Sequence, residues 1–105
     1  MTDAATLNLK AMRRHAGEAA SMLRQLAHEA RLGVLCELIG GEKTAGELVE
    51  KSGLSQSALS QHLAKLREEG LVATRREAQT IYYRLADAKA VRLIGVLHEL
   101  YCGRK

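Results

Sequence analysis

The stretch from Thr44 to Leu85 constrains the fold most, because it sets a short helix, a tight turn and a second helix directly before two strand-like segments joined by a polar turn. Thr44 suits a helix N-cap with Glu47 at the capping-box position, and Ala45, Leu48 and Val49 give that helix one apolar side. Ser52 and Gly53 stop it, Gly53 suiting the left-handed conformation that follows a helix end. Ser55 is placed to cap the next helix across a turn short enough to hold two helices at a steep angle. The second helix is expected from about Gln56 to Glu69, with Leu59, Leu63 and Leu66 on one inward stripe, and Gly70 ends it. Leu71-Val72-Ala73-Thr74 and Thr80-Ile81-Tyr82-Tyr83-Arg84-Leu85 are rich in β-formers and flank a turn around Glu77-Ala78-Gln79. The expected class is mainly α with a small β-hairpin wing, a winged helix-turn-helix.

The second helix turns a separate polar face outward. Gln56, Ser57, Ser60 and Gln61 share it, and Gln and Ser are side chains that hydrogen-bond base edges when a helix enters the major groove. Between Lys51 and Arg67 the basic residues Lys51, Lys65 and Arg67 meet no acid, which suits positioning contacts to a phosphate backbone. In the wing, Arg75, Arg76 and Arg84 outnumber Glu77 and suit phosphate or the minor groove. A short helix-turn-helix also occurs as scaffolding in all-helical proteins, where such faces are merely solvated. The attached wing and the acid-free recognition face favour double-stranded DNA.

The rest of the chain is consistent with one domain over residues 1–105, since 47% hydrophobic residues can build a core without Phe or Trp. A formal charge of +4 favours a polyanionic partner without identifying it. No leader pattern and no run near the roughly 20 apolar residues of a bilayer span is visible, so a cytoplasmic protein without a membrane partner is expected. A helix is expected from about Ala4 to Ala27, with a possible break near Gly17, and another from about Glu29 with Leu32, Leu35, Cys36 and Ile39 on one stripe before Gly40-Gly41. Asp87 is expected to cap a last helix from about Ala88 to Tyr101, whose Val91, Leu93, Ile94, Val96, Leu97, Leu100 and Tyr101 cover more than one side. One small domain cannot bury all of these, so the terminal helices are read as a homodimer interface. A dimer would set two recognition helices one DNA turn apart on an inverted repeat. An enzyme is not indicated: Gly41-Glu42-Lys43-Thr44 lacks the upstream glycine spacing of a phosphate loop, and no nucleophile-base pattern is visible.

The runs Leu26-Ala27-His28-Glu29-Ala30-Arg31-Leu32, Gly46-Glu47-Leu48, Leu54-Ser55-Gln56-Ser57, Ser60-Gln61-His62-Leu63, Leu66-Arg67-Glu68-Glu69-Gly70-Leu71-Val72 and Tyr82-Tyr83-Arg84-Leu85 resemble the ArsR family of small dimeric winged-helix repressors. That resemblance implies release of operator DNA when an inducer, often a metal ion, binds. The family's thiol-rich metal site would need a Cys pair where this chain has Thr44-Ala45-Gly46-Glu47. Its last-helix site would find Asp87 but then Lys89, Leu100 and Gly103. His15, His28, His62 and His98 show no paired ligand spacing, so neither a metal nor another cofactor is expected.

Cys36 and Cys102 remain. Taken alone, one could be a small core hydrophobe and the other an accident near a fraying end. Their places, one on each of two helices, resemble the sulfide-responsive branch of the family, the BigR, SqrR and HlyU type. The resemblance implies that the pair reacts with persulfides, becomes joined by a bridge of several sulfurs, and weakens DNA binding. A direct disulfide needs Cα atoms within about 7 Å, so a wider pair would accept inserted sulfur more readily than a two-sulfur bond. Both cysteines lie toward helix C-termini, where the dipole opposes a thiolate, so Arg104, Lys105 or a histidine would have to compensate. The open alternatives are an ArsR-type regulator with a metal or other inducer, and a redox-blind architectural DNA-binding protein.

Overall fold

Residues 7–103 are described by the computed structural model, in which five helices surround a small sheet. The order is α1 (Leu9–Leu26), α2 (Glu29–Ile39), β1 (Lys43–Thr44), α3 (Ala45–Ser52), α4 (Gln56–Glu68), β2 (Val72–Glu77), β3 (Thr80–Leu85) and α5 (Ala88–Cys102). Side-chain caps start most of the helices. Asn8 accepts from the Ala11 amide at the head of α1, and Ser55 from the Ala58 amide at the head of α4. Asp87 accepts from the Lys89 and Ala90 amides at the head of α5. At α3 the capping box is complete: the Glu47 amide donates to Thr44 Oγ1 at 3.2 Å and the Thr44 amide to Glu47 Oε1 at 2.8 Å.

Three expectations are corrected. α1 runs unbroken through Gly17, because a single glycine costs a helix only about 1 kcal/mol; the earlier part of the expected helix, Ala4 to Thr6, lies outside the described residues. On α2 the buried residues are Val34, Leu35 and Leu38, whereas Cys36 and Ile39 are exposed. This helix is apolar on more than one side, so periodicity alone did not select the side that packs. The wing strand β2 continues through Arg75, Arg76 and Glu77, leaving a two-residue turn at Ala78-Gln79 with Ala78 at φ 58°.

The sheet also has a strand that the sequence did not announce. β1 pairs antiparallel with β3 through Lys43 with Tyr83 and Thr44 with Tyr82, so the order is β1-β3-β2. β2 and β3 pair from Val72 with Leu85 out to Glu77 with Thr80. Side chains alternate across this ladder. Val72, Tyr83 and Leu85 pack toward the core, and Arg75, Tyr82 and Arg84 therefore share the other face.

The core joins Leu35 of α2, Leu48 of α3, Leu59, Leu63 and Leu66 of α4, Leu71, and Ile94 of α5, all fully buried or nearly so. It leaves much apolar surface outside. Of the 18 residues of α1 only Leu26 is buried, and α5 leaves Val91, Val96, Leu100 and Tyr101 exposed, the last at 84%. The radius of gyration is 15.4 Å, against about 13 Å for a compact chain of this length.

The turn between α3 and α4 depends on Gly53, whose φ of 75° is left-handed and whose missing Cβ would meet open space. A Gly53→Ala variant therefore suffers backbone strain and no clash, an expected loss of about 1 kcal/mol. Thermal melting followed by circular dichroism should fall by roughly 4–8 °C.

Candidate nucleic-acid interface and thiol pair

Burial of Leu59, Leu63 and Leu66 turns the rest of α4 outward. Gln56, Ser57, Ser60 and Gln61 are all exposed, and helical spacing arranges them in two adjoining rows. One row runs Gln56, Ser60, Ala64, Arg67, and the other Ser57, Gln61, Lys65. The rows place the amides and hydroxyls at the N-terminal half of α4 and the cations in its last turn. Glu68 follows at the end of the second row, just beyond the acid-free stretch. Lys51, exposed in the last turn of α3, adds charge beside the turn.

The wing arginines do not form one group. Arg76 lies on one face of the hairpin, and no ion pair involves it among the described residues. Arg75 and Arg84 lie on the other. Arg75 Nε donates to both carboxylate oxygens of Glu42 at 2.9 Å, and its Nη1 donates to Glu77 Oε1 at 2.9 Å. Its guanidinium carbon also stands 4.4 Å from the Tyr82 ring centroid. The hydrogen bond from Arg75 and, more weakly, the charges of Arg75 and Arg84 hold the Glu42 carboxyl below the usual range. Glu42 was not legible as a site residue, because its partner lies 33 positions away and no periodicity links them.

The inner side of α4 is tied to α2 by two polar contacts that the sequence reading also missed. His28 and His62 meet edge to face with ring centroids 5.0 Å apart. Arg31 Nη1 stands 3.6 Å from Glu69 Oε1, close enough for an ion pair but beyond hydrogen-bonding range, and both side chains are largely shielded. Arg31 Nε and Glu69 Oε1 have no hydrogen-bond partner among the described residues. Burial, then the charges of His28 and Arg31, push the His62 imidazole below its ordinary value.

Cys36 and Cys102 are both exposed and unbonded. α5, which ends at Cys102, packs on α2, which carries Cys36. Partial burial pushes the Cys36 thiol up, and negative charge at Cys102 and then at Glu37 acts in the same direction. Cys102 therefore lies near enough to act on Cys36 electrostatically. Arg104 and Lys105, the expected compensating cations, lie outside the described residues. No group of three or more His, Cys, Asp or Glu capable of holding a metal occurs among the described residues, and no helix there is long and apolar enough to cross a membrane.

Comparison with known proteins bears on this arrangement. The family model for bacterial regulatory proteins of the arsR family matches residues 28–74, from the His28 contact through the first half of the wing. The chain is 48% identical over 98 residues to the transcriptional activator HlyU of Vibrio cholerae serotype O1, covering 93% of this chain and 91% of that protein. It is 49% identical over 100 residues to the biofilm growth-associated repressor of Agrobacterium fabrum, covering 95% of this chain and 86% of that one. The crystal structure of the repressor BigR from Xylella fastidiosa superposes with a TM-score of 0.87 at 41% identity, covering 93% of this chain and all of that one. HlyU from Vibrio vulnificus does so at 0.84 and 51%, covering 91% and 100%.

The depressed His62 imidazole makes the stability of the fold depend on pH. The unfolded chain takes up a proton near the ordinary value of 6.5, whereas the folded chain resists it, so stability is complete above that pH and declines as pH falls below it. Melting temperatures measured from pH 7.5 to 5.5 should fall less steeply in a His62→Gln variant than in the parent protein.

Proposed function

The chain belongs to the arsR family of bacterial regulatory proteins and is a transcriptional regulator rather than an enzyme; from that premise we propose that it is a cytoplasmic homodimeric repressor that releases operator DNA when reactive sulfur bridges Cys36 and Cys102. Gln56, Ser57, Ser60 and Gln61 read base edges in the major groove. Lys51, Lys65 and Arg67 hold the phosphate backbone, and Arg76 of the wing approaches phosphate or the minor groove. The unpartnered apolar faces support the dimer. An open groove between α1 and the start of α5 is lined by Met12, Met22, Leu23 and Leu93, and Leu100 and Tyr101 extend the exposed apolar surface of α5. Pairing these helices across a twofold axis would present two copies of α4 to successive turns of an inverted repeat.

The observation that carries the sensing reading is that two exposed, unbonded thiols stand on α2 and α5, helices that pack on one another. The chemistry is thiol exchange on sulfane sulfur. The Cys36 thiolate attacks the terminal sulfur of a small-molecule persulfide, forming a Cys36 persulfide and releasing the small thiol. A second round extends it to a hydrotrisulfide, again releasing a thiol. The Cys102 thiolate then attacks the middle sulfur and displaces hydrosulfide, leaving a three-sulfur bridge. The added sulfane sulfur is the oxidant, so no other is needed. Such a bridge ties α5, on the dimer side, to α2, which contacts α4 through the His28–His62 pair and the Arg31–Glu69 pair. It thereby changes the spacing of the two recognition helices.

Non-reducing peptide-mapping mass spectrometry after treatment with glutathione persulfide should find Cys36 linked to Cys102 with extra sulfur, and hydrogen peroxide should not produce that species. In parallel, persulfide should abolish operator binding by the parent protein and leave a Cys36→Ser variant bound; an equal response in both would rule out the cysteine mechanism. Because the Cys36 thiol is pushed up, its thiolate is scarce at neutral pH. Its alkylation by iodoacetamide, read by mass spectrometry, should accelerate about tenfold per pH unit from 7 to 8.

A further inference from the structure

We propose that Arg75 is a positioning residue rather than a phosphate contact, and that Glu42 is its anchor: the Glu42–Arg75–Glu77 clamp sets the wing against the helix-turn-helix. The inference rests on the DNA-binding reading above. The charge balance on the wing is its first support. Arg75 is shared by two carboxylates at 2.9 Å, and Arg84 stands near enough to act on Glu42. On that face two cations therefore meet two anions, leaving no surplus positive charge for a phosphate. The surplus belongs to Arg76 on the opposite face, which has no ion pair among the described residues.

Geometry is the second support. A guanidinium is a rigid planar fork, and here its Nε meets the Glu42 carboxylate while Nη1 meets Glu77, with its carbon 4.4 Å over the ring of Tyr82 directly across the ladder. The contact therefore fixes direction as well as distance. Its two ends also lie where leverage is greatest. Glu42 immediately precedes β1, whose Thr44 caps α3, so this carboxylate is fixed to the start of the helix-turn-helix. Glu77 is the last residue of β2 before the turn at the wing tip. β1 supports the hairpin only through Lys43 and Thr44, opposite Tyr83 and Tyr82. From Arg76 to Ile81 the wing has no ladder partner but itself. The clamp is a side-chain contact that joins this projecting part to the frame of the recognition helix.

Removing Glu42 separates the two roles by sign. A Glu42→Gln substitution deletes a negative charge near DNA, so if Arg75 were a phosphate contact restrained by Glu42, binding would tighten. If the clamp positions the wing, binding weakens, by roughly three- to tenfold. The probe is a duplex selected by the parent protein from a random-sequence library, with affinity measured by fluorescence anisotropy across a salt series. The expected pattern is that Glu42→Gln and Arg75→Lys both weaken binding, and that Glu42→Gln keeps the parent salt slope. Arg76→Gln, a control, weakens binding and lowers the slope by about 0.9. The double variant Glu42→Gln/Arg75→Lys should be no weaker than either single one, since each breaks the same unit.

Equal or tighter binding by Glu42→Gln, or undiminished binding by Arg75→Lys, overturns the inference. Multiplied losses in the double variant do the same. Should Arg75→Lys melt well below the parent, Glu42→Gln alone decides by its sign. Failure of the parent protein to select any duplex would instead overturn the DNA-binding reading, so the two failures are distinguishable.

Discussion

The packing of Leu59, Leu63 and Leu66 against Leu48 and Leu35 is the constraint on which the rest depends. Each is buried to within a few per cent of completely, and burial of a leucine side chain contributes about 2 kcal/mol relative to exposure. That energy fixes the rotation of α4 about its own axis. Once those three face inward, Gln56, Ser57, Ser60 and Gln61 have no choice but to face outward, because 3.6 residues per turn separates the two sets. The polar face that reads DNA in our proposal is thus a consequence of core packing. The capping box at Thr44, Gly53 and the Ser55 cap then set the angle at which that face is presented.

Around this centre the molecule shields polar contacts on the inside of α4 and exposes charge on its outside. The largely shielded Arg31–Glu69 pair and the more open His28–His62 contact join α2 to α4. Buried or half-buried polar contacts hold a narrower range of geometries than apolar ones, since misalignment leaves a desolvated group without a partner. Arg31 Nε already lacks one. A displacement of α2 is therefore felt at α4. This gives a physical route from a thiol on α2 to the face that reads DNA in our proposal, and it needs no change in the leucine core.

Charge is distributed with the same economy in the wing. A count of arginines makes Arg75, Arg76 and Arg84 look equivalent, yet the pleat sends them to two faces and Glu42 and Glu77 neutralise one of those faces. Ion pairs on a surface contribute little to stability individually, so the value of such a group lies in orientation. α1 and α5 show the opposite case, with apolar surface left in excess: Leu9, Met12, Leu23, Leu100 and Tyr101 remain exposed on a chain more extended than its length requires. A second copy of the chain would cover such surface.

Local chemistry was enough for the sequence to determine the helix-turn-helix, the wing and the outward polar face. Thr44, Glu47, Gly53, Ser55, Gly70 and Asp87 act on backbone within four residues of themselves, and the leucine spacing of α4 has only one inward solution. Tertiary structure decided whatever depended on distant partners. Only packing could choose Val34, Leu35 and Leu38 as the buried side of α2, and so leave Cys36 exposed, since that helix is apolar on several sides. Only the fold could pair two residues at Lys43–Thr44 with β3, too short a strand to show a period. The Arg75–Glu42 clamp, the His28–His62 contact and the packing of α5 on α2 each join elements far apart in the chain, and distance in sequence carries no record of distance in space.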